Sequence, residues 1–211
     1  MVLKKGDFIE IDYIARLEDG KIFDLTVEKV AKENNIFNEK AKYRSVIICL
    51  GYKDVILGLD EELIGKDVGK YKFKISPEKG FGKKDAKLIK LVPTSLFTKE
   101  NIKPFPGLTI NLDGIMARII SVTGGRTMVD FNHPLSGKEL EYEVEVKRVV
   151  NDVKEKLDGF LRLRLNKFKT KVEKDKVVVD CEIKVKELKD KLEKEIKERI
   201  KEIKIVEFKK C

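Results

Sequence analysis

Tryptophan and glutamine are missing from this sequence altogether, and histidine occurs once, at His133. A single histidine excludes a His-rich metal site and leaves no partner for a histidine pair. Its setting, Asn132-His133-Pro134, reads as a turn rather than a catalytic position. The cysteines Cys49, Cys181 and Cys211 are odd in number, far apart and in no metal-ligand spacing, so no metal is expected. Cys49 sits in the apolar run VIICL and Cys181 at an apolar position of an alternating segment; both read as small core residues. Cys211 ends the chain and reads as exposed. No stretch approaches the roughly 20 apolar residues of a membrane span. The opening MVLKKGDFIEID lacks the apolar core of a signal peptide. The expectation is a soluble, cytoplasmic protein with no membrane contact.

Charge, by contrast, is abundant: 39% of residues are charged and 42% apolar, against about a quarter charged in ordinary domains. The excess is mostly Lys and Glu, a bias similar to that of hyperthermophile proteins, where surface ion pairs gain weight with temperature. A net charge of +9 raises nucleic acid as a partner. Yet acids and bases alternate along the chain, as in KELKDKLEKEIKERIKEIK (186–204). A solvated, salt-bridged surface is the preferred reading, and nucleic-acid binding is not expected. From residue 151 onward 20 Lys and Arg stand against 14 Asp and Glu, so six of the nine net charges lie there.

Periodicity sets out the elements. FIEIDYIARL (8–17) places Ile9, Ile11, Tyr13, Ala15 and Leu17 on one face of a strand. EDG (18–20) is a hairpin turn leading into a strand from Lys21. Val27, Val30, Ala31 and Asn34 have the spacing of a short helix, and Ser45 to Leu50 reads as a buried strand. Tyr52 to Ile64 predicts a helix of about three turns with Val55, Ile56, Leu59 and Leu63 on one face. Tyr71, Phe73 and Ile75 alternate with lysines, and Tyr142, Val144 and Val146 with glutamates, giving two more strands. Between them the short runs LIKLV, LTINL, MARIISV and TMVDF, punctuated by Pro and Gly, predict a small all-β module. The tail reads α-β-β-α-β. Its strand runs over Val177, Val179, Cys181, Ile183 and Val185, and Leu188, Leu192, Ile196, Ile200 and Ile203 form a helical stripe.

Four segments, in order, carry a family resemblance: YIARLEDGKIFD (13–24), LGYKDVILGLDEELIGKDVGK (50–70), ISPEKGFG (75–82) and NHPLSGKELEYEVEV (132–146). They resemble the FKBP-type peptidyl-prolyl cis/trans isomerases, in particular the SlyD-like branch with an inserted flap domain, in a long-chain form of archaeal type. The resemblance implies an α+β fold: a curved antiparallel sheet around a short helix, with the β-rich module inserted. The expected domains are 1–82 with 132–151 for the isomerase, 83–131 for the insert, and 152–211 for a C-terminal α+β domain.

By the same resemblance, Tyr13, Asp24, Ile56, Phe81 and Tyr142 would do the catalytic work, and Phe23, Ile48, Val55, Leu59 and Leu135 would line the substrate pocket. The backbone N–H of Ile56 would receive the substrate carbonyl. Leu59 stands where single-domain relatives often carry Trp, which leaves a roomier floor. Phe81 stands where Tyr is common, so one hydroxyl is missing. The metal-binding tail of SlyD-like proteins has no counterpart in a chain with one histidine, and no cofactor is implied. Without the resemblance these aromatic and aliphatic residues would read as core, and Asp24 as a turn residue. Gly51, Gly58 and Gly82 lie in no phosphate-loop spacing.

A module of about fifty residues buries only part of its apolar surface. Leu96, Phe97, Phe105, Ile115, Met116 and Met128 are therefore expected to form a surface that captures unfolded or nascent polypeptides. The alternatives are a holdase with little catalysis and nucleic-acid binding through the basic C-terminus. Residues 152–211 form a marginal unit alone, stabilised either by docking on the first domain or by a second copy. A homodimer through this region is the expectation.

Overall fold

The computed structural model describes residues 2–112, 114–182 and 185–209. Its first elements are β1 (Phe8–Leu17), β2 (Ile22–Leu25), α1 (Glu28–Glu33), β3 (Val46–Cys49), α2 (Leu57–Leu63) and β4 (Gly69–Ile75). β5 (Ile89–Pro93), α3 (Thr94–Lys99), β6 (Thr109–Leu112), β7 (Ile115–Thr123) and β8 (Arg126–Asp130) follow. The chain ends with β9 (Leu140–Val149), α4 (Val153–Arg162), β10 (Phe168–Glu173), β11 (Lys176–Cys181), α5 (Lys186–Arg199) and β12 (Ile205–Lys209). The α+β class agrees with the expectation. Among the described residues no helix is long and apolar enough to cross a membrane.

Two compact units result, Met1–Ile75 with Leu140–Cys211, and Ser76–Glu139. In the first, an antiparallel sheet runs β2-β1-β9-β4, and β3 pairs with the N-terminal half of β1. Alternation sorts its faces. Ile9, Ile11, Ala15, Tyr142, Val144 and Val146 are buried, each large aliphatic contributing about 1.5–3 kcal/mol. The opposite face is a charge ladder. Lys70, Lys72 and Lys74 of β4 sit directly across from Glu145, Glu143 and Glu141 of β9, at 3.7, 3.0 and 3.5 Å. Opposite charges in register favour this pairing.

α2 is shorter than the helix expected over Tyr52 to Ile64. Residues 52–56 are not helical, and two carboxylates hold the backbone at and just before this stretch in another course. Asp60 accepts from the N–H groups of Gly51 (2.8 Å) and Lys53 (2.9 Å), and Asp54 from that of Cys49 (3.0 Å). Lys53 takes a left-handed conformation at φ 59°, which ends any helical run.

The C-terminal segment does not stand apart. Phe8, Cys49 and Val150 share one core with Leu157, Phe160, Leu161, Val177, Val179, Cys181, Leu192, Ile196, Ile200 and Ile203. The stripe that argued for a second copy is thus mostly covered by the chain itself. Leu188, at the start of the stripe, is exposed, as are Val185 and Ile205. β11 ends at Cys181, Val185 is the N-cap of α5, and Ile183 and Cys211 lie outside the described residues. β11 and β12 are parallel, with α5 as the crossover between them. Cys49 and Cys181 are buried, as their apolar settings predicted.

The second unit holds the sheet β5-β8-β7-β6. It is wider than the 83–131 expected because its flanks fold with it. Asn132 bonds both the N–H and the C=O of Asp85, Ser136 Oγ donates to Phe81 O, and Gly137 N–H donates to Gly82 O. The module is also not all β: α3 follows Pro93 and carries Phe97 into a core with Ile110, Ala117, Ile119 and Val129.

Candidate functional site

The inner face of the first sheet gathers an aromatic cluster. Tyr142 on β9 lies opposite Ala15 of β1 and Phe73 of β4, and Asp24 of β2 lies opposite Ala15 on its other side. The small side chain at Ala15 leaves space between its larger neighbours. The Tyr142 ring stands 5.9 Å from that of Tyr13, tilted at 45°, and 6.2 Å from that of Phe23, edge to face. Such tilted pairs match the positive edge of one ring to the negative face of another.

The Tyr13 hydroxyl donates to Asp24 Oδ2 at 2.7 Å. Burial, followed by the Asp24 carboxylate, pushes the Tyr13 hydroxyl far above its usual pKa. Burial and then Asp24 do the same to Tyr142. Both phenols therefore remain neutral donors at physiological pH. Asp24 itself is exposed. Thr26 locks the β1–β2 crossing: its Oγ1 accepts from the Tyr13 N–H at 2.9 Å and donates to Asp12 at 3.0 Å. Asp12 is in turn paired with Lys147 at 2.6 Å.

Val55 and Ile56 are half-buried at the entrance to α2, with Ile56 as its N-cap, while Leu59 and Ile48 are fully buried. Among the described residues no acceptor meets the Ile56 N–H. The loop that presents this donor is pinned from both sides, by Asp60 and by Asp54. The Asp54 side chain, 1% exposed, accepts from Arg164 at 2.8 Å and Arg199 at 2.7 Å. Arg164 and Arg199 also lie over the Phe160 ring, at 3.8 and 4.9 Å. Sequence reading missed this clamp. Asp54 and Asp60 were visible as carboxylates inside an apolar stretch, but nothing linked them to arginines more than a hundred residues away.

Of the remaining expected residues, Phe81 and Leu135 belong to the second unit. Phe81 stacks on His133 with centroids 4.6 Å apart, and the Leu135 N–H donates to His133 Nδ1 at 3.2 Å. The turn reading of His133 agrees with that bond. Of the six residues expected on the capture surface, Leu96, Phe105, Ile115, Met116 and Met128 are exposed. Phe97 is not: it is 4% exposed and fills the module's core. Leu91, opposite Met128 in register, and Ile120 extend the exposed apolar set. Among the described residues no group of three His, Cys, Asp or Glu is placed to hold a metal.

Comparison with known proteins bears on both units. Residues 90–135 match the family model described as FKBP26, IF domain. The chain is 40% identical over 149 residues to a short-type peptidyl-prolyl cis-trans isomerase of Methanocaldococcus jannaschii, covering 70% of this chain and 94% of that relative. It is 28% identical over 160 residues to the FKBP-type peptidyl-prolyl cis-trans isomerase SlyD of Haemophilus influenzae, covering 69% and 72%. A third relative, FK506-binding protein 2 of Yarrowia lipolytica, is 33% identical over 99 residues, covering 46% and 60%.

Proposed function

The chain belongs to the family of FKBP-type peptidyl-prolyl cis-trans isomerases, and from that premise we propose that its aromatic cluster is the slot for a client's proline ring. The single observation carrying the assignment is the Tyr13–Tyr142–Phe23 cluster with Asp24 hydrogen-bonded at its edge. Rotation about an X–Pro bond faces a barrier of about 18–20 kcal/mol and takes tens of seconds or more unaided. The barrier is lost amide resonance. At the twisted geometry the amide carries less charge separation than when planar, so an apolar slot disfavours it less than it disfavours the planar form.

The residues divide the work accordingly. Tyr142, Phe23 and Val55 offer apolar surface to the ring, whereas Leu59 is fully buried and has none exposed to offer. The unpaired Ile56 N–H receives the carbonyl preceding proline and holds it while the bond turns. Tyr13, kept protonated, orients Asp24 at the slot's edge, where its charge acts on the twisting C–N unit. No bond is made or broken, so neither nucleophile nor cofactor takes part.

A second role rests on the other unit. Leu91, Leu96, Phe105, Ile115, Met116, Ile120 and Met128 leave apolar side chains in water on a module of only 64 residues, and patches of this kind mark binding surfaces. We infer that the module holds unfolded polypeptide, raising its effective concentration near the slot. Peptide and protein substrates separate the two roles. Tyr13→Phe and Asp24→Asn should lower kcat/KM on a short prolyl peptide by roughly tenfold, about 1.4 kcal/mol. Leu91→Lys with Met128→Lys should leave the peptide rate intact and slow refolding of a proline-limited protein. Wild-type peptide activity in both slot variants would remove the slot from this face. Unchanged refolding in the lysine variant would remove the capture surface.

A further inference from the structure

We propose that the first unit carries a second binding site, a basic cleft between β3, α4 and β10 that takes the phosphodiester backbone of a single-stranded nucleic acid. The cleft has a volume of about 890 Å³. Lys42 and Arg44 enter it from the segment before β3, Lys154 and Arg162 from α4, and Lys167 and Lys169 from the approach to β10 and its first turns of strand. Among the described residues its acids are Asp158 and Glu182. Asp158 is already neutralised, paired with Lys154 at 2.8 Å and accepting from the Thr170 hydroxyl.

Lys42, Arg44, Arg162, Lys167 and Lys169 have no carboxylate within 4 Å among the described residues. Elsewhere in the unit some cations are paired, such as Lys147, Arg148, Lys156 and Arg164, and others, such as Lys53, Lys189, Lys191 and Lys194, also have no carboxylate within 4 Å among the described residues. What sets the cleft apart is that it gathers five such cations in one concavity. Five unpaired cations in one concavity repel each other, and the field they create is focused by the low-dielectric walls. An anion entering the cleft relieves that repulsion. Part of this charge is already local in the sequence, since residues 159–172 hold five bases and no acid. Folding adds the rest: Lys154, Asp158 and Arg162 recur every four residues on one face of α4, and that face meets two other basic segments.

The size and chemistry of the cleft select the ligand. Five cations drawn from three segments match successive phosphates better than one. Two of them are guanidiniums, which grip phosphate oxygens in pairs. The lining also includes the Phe168 ring and the Asn166 amide, groups suited to a base face and a base edge. A concave site does not fit the flat surface of a membrane.

The test is fluorescence anisotropy on the full chain with labelled oligouridylate and oligothymidylate of about a dozen nucleotides, over a range of salt. Single strands give a slope of roughly −0.7 per phosphate contacted, so a slope between about −2 and −3.5 is expected. Arg44→Glu with Lys169→Glu should weaken binding at least a hundredfold, and Lys167→Ser with Lys169→Ser by a smaller factor, with prolyl isomerase activity unchanged. Lys99→Glu with Lys103→Glu, an equal change of net charge in the other unit, should leave binding intact. The RNA and DNA arms identify which strand is preferred. Absence of binding, equal loss in both glutamate variants, or equal competition by polyglutamate would each overturn the assignment.

Discussion

Replacing Asp54 by alanine removes the anion shared by two guanidiniums, Arg199 nearly buried and Arg164 partly exposed. Asp54 Oδ1 lies 2.8 Å from Arg164 and 2.7 Å from Arg199, and Oδ2 takes the Cys49 N–H at 3.0 Å. The side chains of Asp54 and Arg199 are 1% and 8% exposed, so water screens little of the loss. Breaking such a pair from one side costs about 3–5 kcal/mol, because the partner charge stays buried. The unsatisfied Cys49 amide adds about 1–3 kcal/mol. Against this, Glu195 remains 3.3 Å from both guanidiniums and recovers part of the deficit. A net loss of roughly 3–5 kcal/mol follows, or a melting temperature lower by roughly 6–20 °C at about 2–4 °C per kcal/mol for a chain of this size. Urea unfolding followed by circular dichroism measures it, since the chain has no tryptophan to report. Replacing the whole trio, Asp54→Leu with Arg164→Met and Arg199→Met, should recover most of the stability, because the one charge then left without its partners, Glu195, is 24% exposed and reaches water. Both variants should lower isomerase activity per folded molecule, because the trio anchors the loop that ends in Val55 and Ile56. A loss under about 1 kcal/mol for Asp54→Ala, or a trio variant less stable than it, would refute the reasoning.

Gly159→Ala should destabilise the protein by about 1–3 kcal/mol despite alanine's better helix propensity, because the added Cβ would lie 2.5 Å from Ile47 Cβ where α4 crosses β3; thermal melting checks this. The isomerase rate should be flat from about pH 6 to about pH 9. Tyr13 and Tyr142 are weak acids whose pKa values are raised, so their neutral forms persist to higher pH than usual, and an alkaline limb inside that window would contradict their roles. Cys49 should resist alkylation at mildly alkaline pH in the folded protein. Burial, then the Asp54 charge, pushes its thiol up to about 12, with Arg199 opposing; mass spectrometry after iodoacetamide treatment reads the outcome.

Local pattern alone determined most of the elements. The alternation in FIEIDYIARL, YKFKI and LEYEVEV specified three strands and both of their faces, because side chains on a strand alternate sides by geometry. Even the cross-strand ladder was implicit in lysines at every second position of β4 and glutamates at every second position of β9. Motif order carried the family. Long-range convergence stayed invisible. The α2 helix was read a turn and a half too long because its first residues are claimed by Asp54 and Asp60, whose bonds depend on where the backbone of Cys49, Gly51 and Lys53 lies. Phe97 was read as surface because α3, which turns it inward, follows a proline in a segment of strand-like runs. The stripe on α5 was matched to a second copy, whereas tertiary packing gave most of it to Phe8, Cys49 and Phe160. Charge shows the division most clearly. Much of the chain interleaves bases with acids, and residues 159–172 are the local exception with five bases and no acid. Only the fold brings that stretch together with Lys42 and Arg44 in one cleft, while strand periodicity leaves paired ladders on the sheet.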